Sequence, residues 1–355
     1  MSGLKYPLKV KAVWWDEGEK RVCWINTLKL PFEKEVICSD DVERVAKAIV
    51  DMEIRGAPAI GVSAALALAA YSYKLLSMEV RDFYSELMKA IDRLWRTRPT
   101  AHNLFWALDR LKKIIVNSRE SRLKPSEAVE EIEKEALSIL NEDLEANIKI
   151  GEYGAELIPD NATIMTHCNA GALATAGYGT ALAIVRIAWY QGKNIRVIAT
   201  ETRPVLQGAR LTVWELLEEG IPVTLITDNM AGYIIRKKIV DLVIVGADRV
   251  TREGYVINKI GTYMIALAAK RNNIPFYVAA PTSTIDLLST IDEVVIEERN
   301  PDEVRRIRNT YIVPENTPAL NYAFDITDPD LVSGIITEKG VVLPPFHENL
   351  VKIMK

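Results

Sequence analysis

The sequence predicts an α/β protein: a Rossmann-like, parallel-sheet carboxy-terminal domain preceded by a mainly helical amino-terminal domain with a short β portion. Three observations predict it. The 355 residues are 49% hydrophobic and 26% charged, enough apolar material for two filled cores. Through the first part of the chain, apolar residues recur at helical spacing after a short β-like front. From Asn161 onward, nearly continuous apolar runs alternate with helical segments, the pattern of strands covered on both faces.

Taken in order, the front carries VKAVWWD and RVCWIN, separated by the turn-like EGEK. Asp40 or Asp41 then caps DVERVAKAIVDMEI, and RGAPAIGVSAALALAAYSYKLL follows with its small residues. Two amphipathic segments are expected near 80–96 and 100–117. Pro125 and Ser126 open a long charged helix. These features divide the chain into a domain over 1–124, a bridging helix over 125–158 and the sheet domain over 159–355. Strands are expected in ATIMTHC, NIRVIATE, PVTLITD, LVIVGADRV, PFYVAAP and EVVIEER.

In a doubly wound sheet, ligands bind at the carboxyl ends of strands. Those ends read His167-Cys168-Asn169, Glu201-Thr202-Arg203, Asp228-Asn229, Gly246-Ala247-Asp248-Arg249 and Pro281-Thr282-Ser283-Thr284. The NAGALATAGYG run is expected to open a helix directly after Cys168. Free amides and the positive dipole end lower a nearby thiol pKa and attract anions. Cys168 thus reads either as a base or nucleophile or as a small residue packed at a strand end. Asp248, after the apolar LVIVGA, reads as a partly desolvated general acid or as a turn cap. Asn258 and Lys259, after the GYVIN turn, offer donors to the same rim, with a solvated lysine as the alternative. In the first half, Arg55-Gly56-Ala57-Pro58 suggests a loop leading to a helix start and a phosphate cradle, although such residues also permit close helix packing. Arg96 and Arg98, before Pro99, are further anion contacts or plain surface arginines.

Other chemistries are set aside. No G-x-x-x-x-G-K-[ST] run occurs, and no G-x-G-x-x-G follows a strand. The histidines are His102, His167 and His347, with no pair at metal-ligand spacing, so neither metal nor cofactor is implied. His167 should point away from Cys168 across the strand, into a packed or hydrogen-bonded role. The net charge of -4 argues against a nucleic-acid partner. No apolar run has the length of a membrane span, and the amino terminus lacks a signal-peptide core. Three cysteines, an odd and sparse count, suit a reducing cytoplasm without a disulfide framework. Cys23 and Cys38 read as packed residues, with a bridge between them as the alternative. The scarcity of glutamine, found only at 191 and 207, suits a thermophile.

The residues also carry a resemblance. RGAPAIG (55–61), TRPTAHNLFWALDR (97–110), THCNAGALATAGYGTAL (166–182), ETRPVLQGARLTVWEL (201–216), TDNMAG (227–232), GADRVTREGYVINKIGTY (246–263), APTSTID (280–286) and IEERNPDEV (296–304) resemble the 5-methylthioribose-1-phosphate isomerase family, as does NYAFDITDPDLVSGIITEKGVV (321–342). That family is homologous to the regulatory subunits of translation initiation factor 2B. The resemblance implies a methionine-salvage aldose–ketose isomerase, usually a homodimer, with Cys168 and Asp248 catalytic. It implies substrate contacts at Arg55, Gly56, Ala57, Arg98, Gln207, Asn258 and Lys259. The expected reaction moves hydrogen from C2 to C1 of a small phosphorylated sugar, by proton transfer or by hydride shift. Rival readings are a ribose-1,5-bisphosphate isomerase of the same superfamily, a 5-deoxyribose 1-phosphate substrate, and a regulatory subunit of a translation complex.

Overall fold

The computed structural model describes residues 5–98 and 102–355, in two compact units. The helical unit comprises Pro7–Asn147 and Ala172–Gly179. The sheet unit comprises Met1–Tyr6, Ile148–Gly171 and Thr180–Lys355.

The helical unit opens with an antiparallel meander of β1 (Val13–Asp16), β2 (Arg21–Ile25) and β3 (Val36–Ser39). Its register sets Cys23 directly opposite Cys38, and the two sulfurs are bonded. The expectation of three unbridged cysteines is therefore corrected. Cross-strand neighbours lie close enough for a bridge, a consequence of pairing that residue counts do not reveal. Helices α1 (Val42–Val50), α2 (Ala57–Lys74), α3 (Val80–Trp95), α4 (His102–Glu120) and α5 (Pro125–Ala155) follow. Asp41 caps α1 by accepting the Glu43 N–H at 3.0 Å. Every residue of α2 from Ala59 to Ala70 is buried. A helix apolar all round belongs in the middle, and α1, α3, α4, β1 and β2 all pack against α2. Helix α5 runs unbroken, its residues up to Asn147 in the helical unit and those from Ile148 in the sheet unit.

The sheet unit continues with β4 (Thr163–Thr166), α6 (Ala181–Tyr190), β5 (Arg196–Thr200), α7 (Val213–Glu219), β6 (Val223–Ile226), α8 (Ala231–Arg236), β7 (Leu242–Val245), β8 (Arg249–Thr251), β9 (Val256–Lys259) and α9 (Thr262–Arg271). Then come β10 (Phe276–Ala279), β11 (Ile285–Asp286), α10 (Asp302–Arg305), β12 (Arg306–Ile307), β13 (Thr310–Tyr311), β14 (Phe324–Thr327), β15 (Gly334–Thr337), β16 (Gly340–Val342) and α11 (Phe346–Met354).

The main sheet has the order β16-β15-β10-β7-β4-β5-β6, parallel throughout except for β16 at its edge. Chain order runs outward from β4 in both directions, through β5 and β6 on one side and β7, β10 and β15 on the other. This is the doubly wound arrangement, with its switch point between β4 and β7. Alternation explains the continuous apolar runs. Met165, Val243, Val245 and Val278 enter a core with α8, α9 and α11, whereas Ile164, Leu242, Ile244 and Ala279 enter a second core with α6 and α7. A smaller sheet, β11-β8-β9-β14, has Asn258 of β9 opposite Asp325 of β14.

Two expectations about elements fail. EVVIEER forms no strand of the main sheet, and Val295 within it is 87% exposed. The short GIIT segment of β15, buried at every position, takes the sixth parallel place instead. NAGALATAGYG opens no helix after Cys168: α6 starts only at Ala181. The intervening Ala172–Gly179 packs into the helical unit, where a short turn at Ala172–Ala174 meets α2. Small residues there serve close packing rather than helix initiation. Among the described residues, no helix is long and apolar enough to cross a membrane.

Candidate active site

Cys168 lies just past the carboxyl end of β4, and Asp248 just past that of the adjacent β7, so the two flank the switch point. Cys168 is buried and adopts φ 62°, a left-handed conformation uncommon outside glycine. Its backbone is held on both sides. Its N–H donates to Thr202 Oγ1 at 2.9 Å, and its carbonyl accepts from Thr212 Oγ1 at 2.6 Å. Thr202, beyond β5, is itself left-handed at φ 62°. Asp228, beyond β6, steadies it by accepting the N–H groups of Thr202 and Arg203, each at 2.7 Å. Thr212 ends a single π-helical turn, Gly208–Thr212, an irregularity common at functional sites.

Gln207 is brought to the same place by backbone packing. A Cβ on Gly208 would lie 1.8 Å from the Thr200 carbonyl oxygen and 2.8 Å from Thr202 Oγ1, so only glycine lets the turn close. The Gln207 side chain is buried, and its Oε1 has no hydrogen-bond partner among the described residues. A buried amide oxygen left in that state is an open position for a hydroxyl donor.

Behind Cys168 lies a buried ionic network. Asn169 Nδ2 donates to Glu215 Oε1 at 2.9 Å and to Thr212 Oγ1 at 3.2 Å. Arg186 pairs with Glu215 at 2.7 Å and with Glu219 at 3.1 Å, all three essentially without solvent contact. Tyr190 also donates to Glu219.

Asp248 is half-buried and its N–H donates to the Ile257 carbonyl at 2.9 Å, which sets it beside Asn258. Asn258 and Lys259 are buried on β9 itself, whereas the sequence placed them beyond a turn. Asn258 Nδ2 donates to Thr262 Oγ1 at 3.0 Å, and the Lys259 ammonium sits 4.6 Å from the centre of the Phe324 ring. His167 joins the two strand ends: Nε2 meets the Ile260 carbonyl at 2.8 Å and Nδ1 meets Thr200 Oγ1 at 2.6 Å. A carbonyl only accepts, so Nε2 carries the proton and Nδ1 accepts the threonine hydroxyl. Burial lowers the His167 pKa and favours this neutral form. The expected hydrogen-bonded role of His167 is thus what the structure shows.

Cys168, Gln207, Asp248, Asn258 and Lys259 therefore collect on one rim of the sheet unit. Arg55, Gly56, Ala57 and Arg98 belong to the helical unit. Gly56 caps α2 at φ 89°, and a Cβ there would lie 2.4 Å from the Ala174 carbonyl oxygen. Ala57 and Pro58 begin the helix, as the proline suggested. Arg98 follows α3, and residues 99–101, the middle of the TRPTAH motif, lie outside the described residues. Among the described residues, no group of three or more His, Cys, Asp or Glu side chains is arranged to hold a metal ion.

Sequence reasoning missed Asp325. Its Oδ2 accepts the N–H groups of Gly261 at 2.7 Å and Tyr263 at 3.2 Å, and burial pushes its pKa up to about 6. The one available signal was an aspartate inside the otherwise apolar-leaning strand FDIT.

Comparison with known proteins gives the family of the chain. Residues 53–344 match the model of the Initiation factor 2 subunit family. A protein named methylthioribose-1-phosphate isomerase from Desulforamulus reducens is 51% identical, the match covering 97% of this chain and 99% of that one. The crystal structure of 5-methylthioribose 1-phosphate isomerase from Pyrococcus horikoshii is 44% identical with a TM-score of 0.91, covering 99% and 96% of the two chains. A crystal structure described as translation initiation factor eIF-2B, subunit delta, from A. fulgidus is 46% identical with a TM-score of 0.88, covering 97% and 99%. The chain belongs to the Initiation factor 2 subunit family, among the relatives that carry the name methylthioribose-1-phosphate isomerase.

Proposed function

We propose that this isomerase converts 5-methylthioribose 1-phosphate to 5-methylthioribulose 1-phosphate in methionine salvage, with Cys168 and Asp248 as the acid–base pair. The observation that carries the reading is the placement of that pair across the β4/β7 switch point, where doubly wound sheets bind ligands. The near full-length likeness to proteins of that name supports the substrate.

Phosphate on the anomeric oxygen blocks the ordinary hemiacetal opening, so the ring oxygen needs an acid. Asp248 donates that proton as the C1–ring oxygen bond breaks, and the Cys168 thiolate takes the C2 proton, leaving an enol phosphate. The thiol then returns a proton to C1 while the Asp248 carboxylate takes the C2 hydroxyl proton, forming the ketone. Both groups end as they began, and no electrons leave the substrate. Gln207 and Asn258 hold hydroxyls, and Lys259 neutralises the phosphate. The active form is a homodimer, which sedimentation checks.

Phosphorus NMR of the purified protein with 5-methylthioribose 1-phosphate, with ribose 1,5-bisphosphate and with a Cys168→Ala control tests the reading. Conversion of the first sugar, lost in the control, is expected. In deuterated water the proton route incorporates deuterium at C1, whereas full retention of hydrogen points to a hydride shift. Preference for the bisphosphate reassigns the substrate. The likeness to a structure described as a translation factor subunit supports a binding role instead, and that role gains if folded wild-type protein turns over neither sugar.

A further inference from the structure

The His167 imidazole stands in the middle of one hydrogen-bond chain. In one direction the chain ends on the backbone of Cys168, and in the other on the backbone beside Lys259. Thr166 of β4 pairs with Ala199 of β5 in the parallel register, so the next residues, His167 and Thr200, meet at the carboxyl ends of those strands. Nδ1 takes the Thr200 hydroxyl hydrogen at 2.6 Å. With its one hydrogen committed there, Thr200 Oγ1 accepts from Thr202 Oγ1, 3.3 Å away. Thr202 Oγ1 in turn accepts the Cys168 N–H at 2.9 Å. On the other side of the ring, Nε2 donates to the Ile260 carbonyl at 2.8 Å, directly after Lys259, the last residue of β9. The ring also lies against bare backbone: a Cβ on Gly261 would come 3.2 Å from both Cε1 and Nε2. His167, Thr200 and Thr202 are all buried, so a lost link leaves a polar group without water to replace its partner.

We infer that His167 is a positioning residue of the isomerase site: its Nδ1 edge holds the Cys168 turn through Thr200 and Thr202, and its Nε2 edge holds the end of β9 that carries Asn258 and Lys259. This rests on the isomerase reading above. The two edges serve different parts of the reaction. Cys168 handles the C2 proton, so the Nδ1 edge bears on kcat, whereas Asn258 and Lys259 hold the substrate, so the Nε2 edge bears on KM. The neutral ring protonated on Nε2 meets both needs at once, with an acceptor on one edge and a donor on the other. A second ring proton would leave the Thr200 hydroxyl without its acceptor, and burial disfavours that charged form. Misplacing a reacting group by about 1 Å can cost about a hundredfold in rate, which is why a prop on the backbone of the thiol residue matters.

The test is steady-state kinetics of His167→Gln and His167→Asn, beside the rate at which iodoacetamide alkylates Cys168, the free cysteine of the folded protein. Asn sets an amide oxygen where Nδ1 lies and keeps the Thr200 link, whereas Gln sets an amide nitrogen near Nε2 and keeps the Ile260 link. His167→Gln should lower kcat about tenfold or more and leave KM within about threefold of wild type. Its Cys168 should alkylate at least about threefold faster, because the loosened turn opens the thiol to reagent. His167→Asn should alkylate at the wild-type rate and keep kcat within about threefold, while KM rises about tenfold, as for loss of uniform binding. Equal losses in both folded variants, the reverse pattern, or wild-type behaviour of both overturn the inference. Should either variant fail to fold, the nitrogen-15 shifts of the wild-type imidazole decide: a neutral ring protonated on Nε2 supports the chain, and a proton on Nδ1 overturns it. Absence of turnover by wild type sinks the isomerase reading, whereas normal turnover without the split between the variants sinks only this one.

Discussion

Cys168 and Thr202 both hold φ at 62°, one at the end of β4 and the other at the end of β5. Such backbone costs of order 1–3 kcal/mol per residue, and for the β-branched Thr202 it is a genuine outlier. It persists because neighbours over-determine it, through Asp228 on the Thr202 amide and through Thr202 and Thr212 on Cys168. Gly208 is part of the same device. Gly208→Ala forces a Cβ into the Thr200 carbonyl, so it should lower stability by about 3 kcal/mol, at the upper end of overpacking costs. Gly232 lies within α8 with nothing within 4 Å of an added Cβ, so Gly232→Ala should raise stability by about 0.5–1 kcal/mol. Urea midpoints of the pair check both signs. Equal midpoints would mean that the Gly208 turn relaxes freely and holds Cys168 in no fixed conformation.

At the scale of elements, the Arg186–Glu215–Glu219 network joins α6 to α7 behind the Cys168 turn. Arg186→Met would leave two carboxylates buried without their cation, so a loss of about 3–5 kcal/mol is expected in denaturant unfolding. A change under about 1 kcal/mol would show that water or protonation readily replaces the arginine. Helix α5 carries a further, partly buried carboxylate. Asp143 accepts the Ala176 N–H at 2.7 Å and the Asn147 side-chain amide at 3.0 Å, and burial pushes its pKa from 3.8 to about 7. The folded state thus holds its proton more tightly than the unfolded chain. Its stabilising contribution is complete below about pH 4 and is lost as pH rises through about 7. Asp143→Asn should flatten that part of the melting-temperature profile, and an unchanged profile would place the titration elsewhere. The elements themselves were unequally legible. The runs of β4, β5, β6, β7 and β10 signalled strands because burial on both faces demands apolar residues throughout. GIIT of β15 was too short to stand out, and EVVIEER carried β-branched residues into an exposed loop. The strand-end positions of Cys168 and Asp248 were legible because strand ends are read locally. Asp325 was not, because its place beside Asn258 comes from pairing between segments distant in the chain.

For the whole molecule, the covalent link was not legible in the sequence. Cross-strand register is a property of the folded sheet, and composition pointed towards free thiols. The Cys23–Cys38 bridge closes a loop with a sequence separation of 15. A loop of that size restricts the unfolded chain by about 3 kcal/mol in the chain-entropy account. Reduction should therefore destabilise the helical unit by about that amount, and a Cys23→Ala, Cys38→Ala double variant should melt like the reduced wild type. A thiol count separates the bridge from mere proximity. Wild type denatured without reductant should expose one thiol, that of Cys168, and three after reduction. Three thiols before reduction, with equal melting of wild type and double variant, would mean that β2 and β3 hold their register by packing and hydrogen bonds alone.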